Sequence, residues 1–494
     1  MKLFGTSGIR GFVECSVKIH DDEIHDNELI MSRTFCTKAT LAFLKVLSGA
    51  PFNEKNNYNK KNIKKENIKS RKIAVGIDLR ESSKTIKNHI FCTLIHEGYD
   101  PIDCGVIPTP ALCYYTKQNN LLGAIMVTGS HISEDMNGLK FYNSQEEISK
   151  DDEKLIENEY DKMSDNAVEG VYKNIYKHKY VNTTHKIVNE HEKAKNTYIN
   201  LLKKYITNAS SFKRLKIILD AEWSCQNEIF TDILNELNVK LVLLHSSDTF
   251  KAIDTEITSF SDNILRKSII ENDANCAISF DGDGDRPIII DENAEVFSGD
   301  LIGSIMADIL NVNPLVVPIS ASSIVETLGK KVYRTKVGSP YVISKMKEIH
   351  SDFGFESNGG CIYGDVMHTR DSGITIVSIL NKIANEKIRL SELKRRYAEL
   401  FQYKTKFDFP SKKNNNLLEK IEKHYQINGR FKEDKTDGLK IYLDATTWLL
   451  FRPSSNAPEF RIFIESDNKE KLNVLVSKTN EIIEQMVSDM LKTD

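Results

Sequence analysis

The sequence predicts an α/β protein of several domains that ends in a separate α+β domain. Short apolar runs alternate with longer helix-like segments over most of the chain, the pattern of strands and helices packed in layers. A length of 494 residues exceeds one ordinary core and points to two to four domains. From Leu390 onward the texture changes to one helix-like segment followed by closely spaced strand-like runs.

Taken in chain order, the strand-like runs are Lys72 to Ile77, Leu122 to Val127, Leu215 to Leu219, Cys276 to Phe280 and Leu315 to Pro318. Helical patterns fall between or beside them at Asp151 to Met163, Asp232 to Asn238 and Val342 to Ile349. In the last part, a helix is expected over Leu390 to Phe401, then strands at Leu439 to Leu443, Trp448 to Phe451 and Arg461 to Glu465. Residues 53–70 are almost wholly Asn, Lys and Glu, with Tyr58, Ile63 and Ile68 as apolar relief. Such a segment cannot bury a core and reads as a solvated insertion; a basic binding arm is disfavoured because aromatic residues do not interleave it. The polar stretch Ser144 to Lys193 reads as a connection between domains, and no short repeat period is present.

Composition narrows the function classes. Hydrophobic residues make up 40% and charged residues 28%, as in soluble globular proteins, and 67 Lys plus Arg nearly balance 70 Asp plus Glu. That balance argues against a general nucleic-acid or membrane-surface binder. No run approaches the roughly 18 apolar residues of a membrane span, and the N-terminus lacks an apolar signal region, so a cytoplasmic protein is expected. None of the eight cysteines forms a CxxC pair, which favours buried thiols over disulfides or a zinc site.

The strongest chemical signal is Asp281-Gly282-Asp283-Gly284-Asp285-Arg286, directly after an apolar run. Three carboxylates at alternate positions on a Gly-bent turn can converge on one hard cation, and their mutual repulsion calls for one. A calcium hand fails here: its sixth position is Arg286 where glycine is needed, and Pro287 to Ile290 reads as a strand, although Glu292 stands at the twelfth. The second signal is Thr128-Gly129-Ser130-His131, followed by Asn137-Gly138-Leu139-Lys140. A serine on a Gly-flanked turn after a strand can project its hydroxyl, with His131 and Lys140 offering a proton acceptor or positive charge to a phosphate. No G-x-S-x-G pattern surrounds it, which counts against a hydrolase elbow. The third and fourth are Phe4-Gly5-Thr6-Ser7-Gly8-Ile9-Arg10-Gly11 and Arg452-Pro453-Ser454-Ser455-Asn456-Ala457-Pro458, each pairing an arginine with small or hydroxyl residues suited to an anion.

Together, in this order and spacing, the four motifs resemble the α-D-phosphohexomutase family, and its phosphomannomutase/phosphoglucomutase branch most. Gly76-Ile77-Asp78-Leu79-Arg80 with Ser82, Gly105-Val106-Ile107-Pro108-Thr109-Pro110 and Lys336-Val337-Gly338-Ser339 extend the resemblance across Phe4 to Glu465. It implies three α/β domains with mixed sheets and a C-terminal α+β domain around a central cleft, at 1–165, 190–298, 299–390 and 391–494. The implied activity interconverts hexose 6-phosphate and hexose 1-phosphate through a phosphoserine and a 1,6-bisphosphate. Ser130 would carry the phosphoryl group and, with Asp281, Asp283 and Asp285, hold Mg²⁺. Lys140 and Arg10 would assist transfer as acid, base or charge, and His131 would orient or screen the phosphoserine. Arg286, Gly338, Glu356, Asn358, Arg452, Ser454 and Asn456 would bind substrate. A hexose 1,6-bisphosphate would prime the enzyme, and a monomer or homodimer is expected.

The sequence departs from the family pattern in three places. Asn358-Gly359-Gly360 stands where many bacterial members have Ser-Gly-His, Ser339 where some have histidine, and Asn456-Ala457 where many have Thr-Glu. The resemblance puts mannose phosphate first, glucose phosphate close behind and glucosamine phosphate third.

Overall fold

The computed structural model describes residues 2–5, 7–13, 29–49, 70–165, 168, 187–244, 250–252, 263–429, 431–454 and 458–491. The Lys/Asn-rich segment lies outside them except for Ser70. Four sheets organise the described chain. The first holds β1 (Ile9–Phe12), β2 (Lys72–Ile77), β3 (Asp100–Val106), β4 (Gly123–Val127), β5 (Met136–Asn143) and β6 (Val188–Asn189), in the order β1-β5-β4-β2-β3-β6. The second holds β7 (Lys216–Asp220), β8 (Lys240–Leu243), β9 (Cys276–Phe280) and β10 (Pro287–Asp291), ordered β10-β9-β7-β8. The third holds β11 (Leu315–Pro318), β12 (Val332–Thr335), β13 (Phe353–Phe355), β14 (Cys361–Tyr363) and β15 (Met367–Arg370), ordered β12-β11-β13-β14-β15. All three mix parallel and antiparallel pairs.

The fourth sheet holds β16 (Phe401–Asp408), β17 (Lys432–Asp434), β18 (Leu439–Tyr442), β19 (Trp448–Pro453) and β20 (Glu459–Ser466), paired antiparallel in the order β16-β20-β19-β18-β17. Helices Asn414–Asn428 and Lys469–Leu491 complete this α+β unit. Central strands such as β2 and β9 read as near-continuous apolar runs because both of their faces are buried.

Two hydrophobic cores matter for the site. One continuous cluster runs from Ala74 and Met126 through Phe230 and Phe280 to Phe355 and Ile379, joining the first three sheets. The fourth sheet has its own cluster around Leu417, Ile441, Leu449 and Ile464. It touches the third through a small apolar contact of Ile319 with Trp448 and Leu450, and through polar links. Trp448 Nε1 donates to Ser323 Oγ at 2.9 Å, and the buried Lys440 Nζ donates to the Ile319 carbonyl at 2.8 Å.

The helix expected over Leu390 to Phe401 ends at Lys394, and Phe401 instead opens β16. The alternation of Phe401, Tyr403 and Phe407 with Gln402, Lys404 and Lys406 has the period of two that a strand pairing β20 requires. The helices at Asp232 and Val342 begin earlier than expected, at Asn227 and Ser339. The stretch Ser144 to Lys193 contributes the helix Lys150–Asp161 and strand β6, which pairs with β3. Seven cysteines among the described residues are free thiols, six of them buried. No helix among the described residues is long and apolar enough to cross a membrane.

Candidate active site

Each sheet carries one of the motif loops, and each such loop connects an antiparallel pair. Ser130 lies between β4 and β5, the aspartates between β9 and β10, Glu356 between β13 and β14, and Ser454 between β19 and β20. A hairpin tip fixes its residues by the register of both flanking strands, so four unrelated local sequences are held by the same device.

Ser130 takes a left-handed backbone conformation, φ 54°, which costs a non-glycine residue about 1–3 kcal/mol and must be held by its surroundings. Its N–H donates to Thr128 Oγ1 at 2.7 Å, and Arg80 Nη2 donates to its carbonyl at 3.2 Å. The buried Arg80 also donates to the carbonyls of Ile132, Ser133 and Met136, while Asp78 accepts from the Gly129 N–H at 3.1 Å. The Asp78–Arg80 landmark therefore builds the serine loop. Ser130 is buried rather than projecting, and its hydroxyl donates to Asp281 Oδ2 at 2.8 Å. The two loops meet closely: a Cβ at Gly282 would lie 2.9 Å from the Ser130 carbonyl.

The aspartate loop is buried from Asp281 to Arg286. Asp281 Oδ1 accepts the Asp285 and Arg286 N–H groups at 3.1 Å each. Lys140 Nζ donates to Asp283 Oδ2 at 2.5 Å and to Asp285 Oδ2 at 3.0 Å, and Thr109 Oγ1 donates to Asp283 Oδ2 at 2.5 Å. Arg370 Nη2 donates to Asp285 Oδ2 at 2.7 Å and Nη1 to Glu356 Oε2 at 2.9 Å. Asp283 Oδ1 and Asp285 Oδ1 are buried with no hydrogen-bond partner among the described residues. One oxygen from each of the three aspartates lies within 4.8 Å of the others. A compact set of hard oxygen donors with two orphaned, buried atoms fits a divalent cation such as Mg²⁺.

Electrostatics follow from burial and crowding. Burial, then Asp285 and Asp283, push the Asp281 carboxyl up. Burial also opposes the charge on Asp285, but Arg370, Lys140 and Arg286 outweigh it and hold it below the usual carboxylate range. Burial opposes the Lys140 ammonium as well, yet Asp283 and Asp285 raise it above its ordinary value, so Lys140 is a fixed positive donor here. Burial, with Arg286, Arg10 and Lys140 nearby, keeps His131 well below its ordinary value and neutral; Arg286 Nη1 lies 2.9 Å from His131 Nδ1. Burial and Arg286 pull Arg10 down to about 10.

Comparison with known proteins matches the domain I, II and III models of "Phosphoglucomutase/phosphomannomutase" to residues 58–167, 196–295 and 299–401. A "Phosphomannomutase" of Sinorhizobium fredii is 30% identical, over 82% of this chain and 89% of that protein. The chain belongs to the phosphoglucomutase/phosphomannomutase family. A "Phosphoglucosamine mutase" of Alkaliphilus oremlandii is 29% identical over 86% of this chain and 93% of its own length. A solved structure described as a "putative phosphomannomutase" from Thermus thermophilus shares the fold, with TM-score 0.74, 16% identity, and 98% of this chain and 99% of that one covered. Family membership makes this protein a phosphohexomutase, an isomerase.

Within this phosphohexomutase the remaining expected residues fall as follows. Arg10 lies on β1 opposite Gly138, and Lys140 lies two residues further along the same strand β5. Gly338 caps the helix Ser339–Glu348. Asn358 Oδ1 accepts the Gly360 N–H at 3.0 Å, so that oxygen shapes the loop. Arg452 Nε donates to Asp437 Oδ2 at 2.6 Å, and the Ser454 N–H donates to the Glu459 carbonyl at 2.7 Å; Asn456 lies outside the described residues. Glu292 pairs with Ser391, away from the aspartates, as the failed calcium-hand pattern requires.

Four residues that reading the motifs did not select complete the cleft. Thr109 and Arg370 bind the aspartates as described. Glu147 accepts from the Ser7 hydroxyl and from Ser339 Oγ at 3.1 Å, joining the first loop to the third domain. Asp437 accepts the Val337 N–H at 3.0 Å as well as Arg452. The local signal for Thr109 was its place in Gly105 to Pro110; the other three are isolated charges whose meaning depends on folding.

Proposed function

We propose that this phosphohexomutase interconverts mannose 6-phosphate and mannose 1-phosphate, with Ser130 as the phosphoryl carrier and a hexose 1,6-bisphosphate as intermediate and primer. The observation that carries the reading is the junction of two loops at which Ser130 Oγ donates to Asp281 Oδ2 at 2.8 Å, beside two orphaned carboxylate oxygens. Asp281, Asp283 and Asp285, with an oxygen on the serine's phosphoryl group, would hold Mg²⁺, which neutralises phosphoryl charge and polarises the group for transfer.

Ser130 bearing the phosphoryl group faces the free hydroxyl of the hexose phosphate. The sugar O–P bond forms as the Ser130 Oγ–P bond breaks, and the proton of the sugar hydroxyl passes to Ser130 Oγ, so the step balances. Arg10, Lys140 and Arg286 surround the moving group with positive charge. Glu356 accepts hydrogen bonds from sugar hydroxyls through the oxygen that Arg370 does not hold. Arg452 and the Ser454 loop grip the phosphate that is not reacting. The bisphosphate then reverses its ends, and Ser130 takes back the other phosphoryl group.

Mannose is preferred on the motif resemblance and on the 30% identical phosphomannomutase; the similarly matched phosphoglucosamine mutase supports glucosamine phosphate as the second reading. Initial rates with mannose 1-phosphate, glucose 1-phosphate and glucosamine 1-phosphate, each with catalytic bisphosphate, decide between them. The highest kcat/KM is expected for mannose 1-phosphate; a higher value for glucose 1-phosphate or glucosamine 1-phosphate overturns the sugar assignment.

A further inference from the structure

Arg370 ends β15, immediately before Asp371, whose Oδ1 accepts the Ile374 N–H and caps the next helix. A guanidinium placed there is locked at its base by a strand and a capped helix. It is buried, with 4% exposure, and its two Nη atoms reach two loops from different sheets: Asp285 in the aspartate loop and Glu356 in the sugar loop.

The geometry has consequences on each side. Asp285 Oδ2 is taken by Arg370 and Lys140, which leaves Oδ1 as the orphaned oxygen of that carboxylate. Glu356 Oε2 is taken by Arg370, which leaves Oε1 for a ligand. The sugar loop is also shaped around this side chain. A Cβ at Gly360 would lie 2.5 Å from Arg370 Cδ and 3.0 Å from its Cγ. Any side chain at Gly360 would therefore meet the Arg370 stem.

Resting on the mutase reading above, we infer that Arg370 is a positioning residue that ties the metal-binding aspartates to the sugar-recognition glutamate, so that divalent metal and hexose phosphate each strengthen the binding of the other through it. A rigid bidentate fork can hold two carboxylates in one plane, whereas an ammonium offers a point charge without that fixed spacing. Coupling between two sites is reciprocal, and factors of about 5–150-fold are typical. Arg370→Lys keeps the charge and loses the spacing; Arg370→Met loses both; Gly360→Ala leaves the arginine in place and pushes its stem.

The test measures Mn²⁺ affinity by titration calorimetry with and without saturating mannose 1-phosphate, and mannose 1-phosphate affinity with and without Mn²⁺, on unphosphorylated enzyme that cannot turn over. Wild type is expected to show the same coupling factor in both directions, at least about fivefold. Arg370→Met and Arg370→Lys are expected to bring it to one, with intact circular dichroism, and Gly360→Ala to reduce it. If Arg370→Met does not fold, Gly360→Ala and Arg370→Lys carry the decision. A folded variant set with wild-type coupling overturns the inference while leaving the mutase reading intact, as does wild type that binds both ligands without coupling. Wild type that binds neither ligand overturns the mutase reading itself.

Discussion

The aspartate hairpin and the C-terminal hairpin stand on opposite kinds of foundation. The loop Asp281–Arg286 is held on every side: Thr109 N–H binds the Asp283 carbonyl, Cys225 N–H the Gly282 carbonyl, and Ser372 and Gln226 the Gly284 carbonyl. Those partners come from the first, second and third sheets, which share one core. The Arg452 hairpin stands on a separate core and meets the third sheet through Asp437, Lys440, Trp448 and Glu465. Phosphoryl transfer demands donors fixed to a fraction of an ångström, while a bisphosphate that reverses its ends demands a grip that releases. The fixed core therefore suits the proposed transfer chemistry, and the separately founded sheet suits the proposed phosphate grip.

Changes in the fixed half should strike kcat hardest. Ser130→Ala is expected to lower kcat by about 10⁴-fold or more, because the proposed phosphoryl carrier is lost, with thermal melting little changed. The hydroxyl is buried, so a modest relaxation around Asp281 is expected. Next in size is Asp283→Asn. It removes the negative charge that Lys140 and Thr109 bind and one carboxylate oxygen of the proposed metal site, and is expected to lower kcat and Mg²⁺ affinity together. Losing one charge-assisted contact is worth about 1.5–3 kcal/mol, or roughly 10–150-fold. Mn²⁺ titration beside steady-state rates checks it; unchanged metal affinity removes Asp283 from the site.

Changes in the gripping half should appear first in KM. Arg452→Ala is expected to raise KM in both directions by about 10–100-fold, and Arg452→Lys to recover part of it, since an ammonium lacks the fork. A folded alanine variant with wild-type KM and kcat both ways would erase the distinction between the halves. The smallest effect is expected for Asp437→Asn, which weakens the partly exposed tie to Arg452 and the Val337 N–H. A few-fold rise in KM, about 1 kcal/mol, with kcat held within about twofold is the expected outcome of steady-state assays. A larger fall in kcat than rise in KM would make Asp437 part of the fixed half instead.

The same contrast governs what could be read in the sequence. The clustering of Asp281, Asp283 and Asp285 was legible because the three carboxylates are nearly contiguous on a Gly-bent turn. Ser130 was legible as a Gly-flanked turn, although its burial and left-handed backbone were not, since both depend on Arg80 wrapping the loop from a distant strand end. Strands β2, β9 and β11 were read to the residue because burial on both faces leaves a continuous apolar run. The helix expected to Phe401 failed where a half-exposed edge strand alternates weakly. Arg370, Glu147 and Asp437 could not be found from pattern: each is a single charge whose partners lie on other loops, and only the packing of the sheets brings them together.

The claim that the phosphoryl group is carried in the fixed half is tested most directly by peptide mass spectrometry. Enzyme stripped of phosphate is mixed with a hexose 1,6-bisphosphate and Mg²⁺, quenched and digested. One phosphoryl group is expected on the peptide containing Ser130, appearing within a turnover, disappearing on addition of hexose phosphate, and absent from Ser130→Ala. A phosphoryl group on another residue, or full mutase activity with none on Ser130, would contradict it.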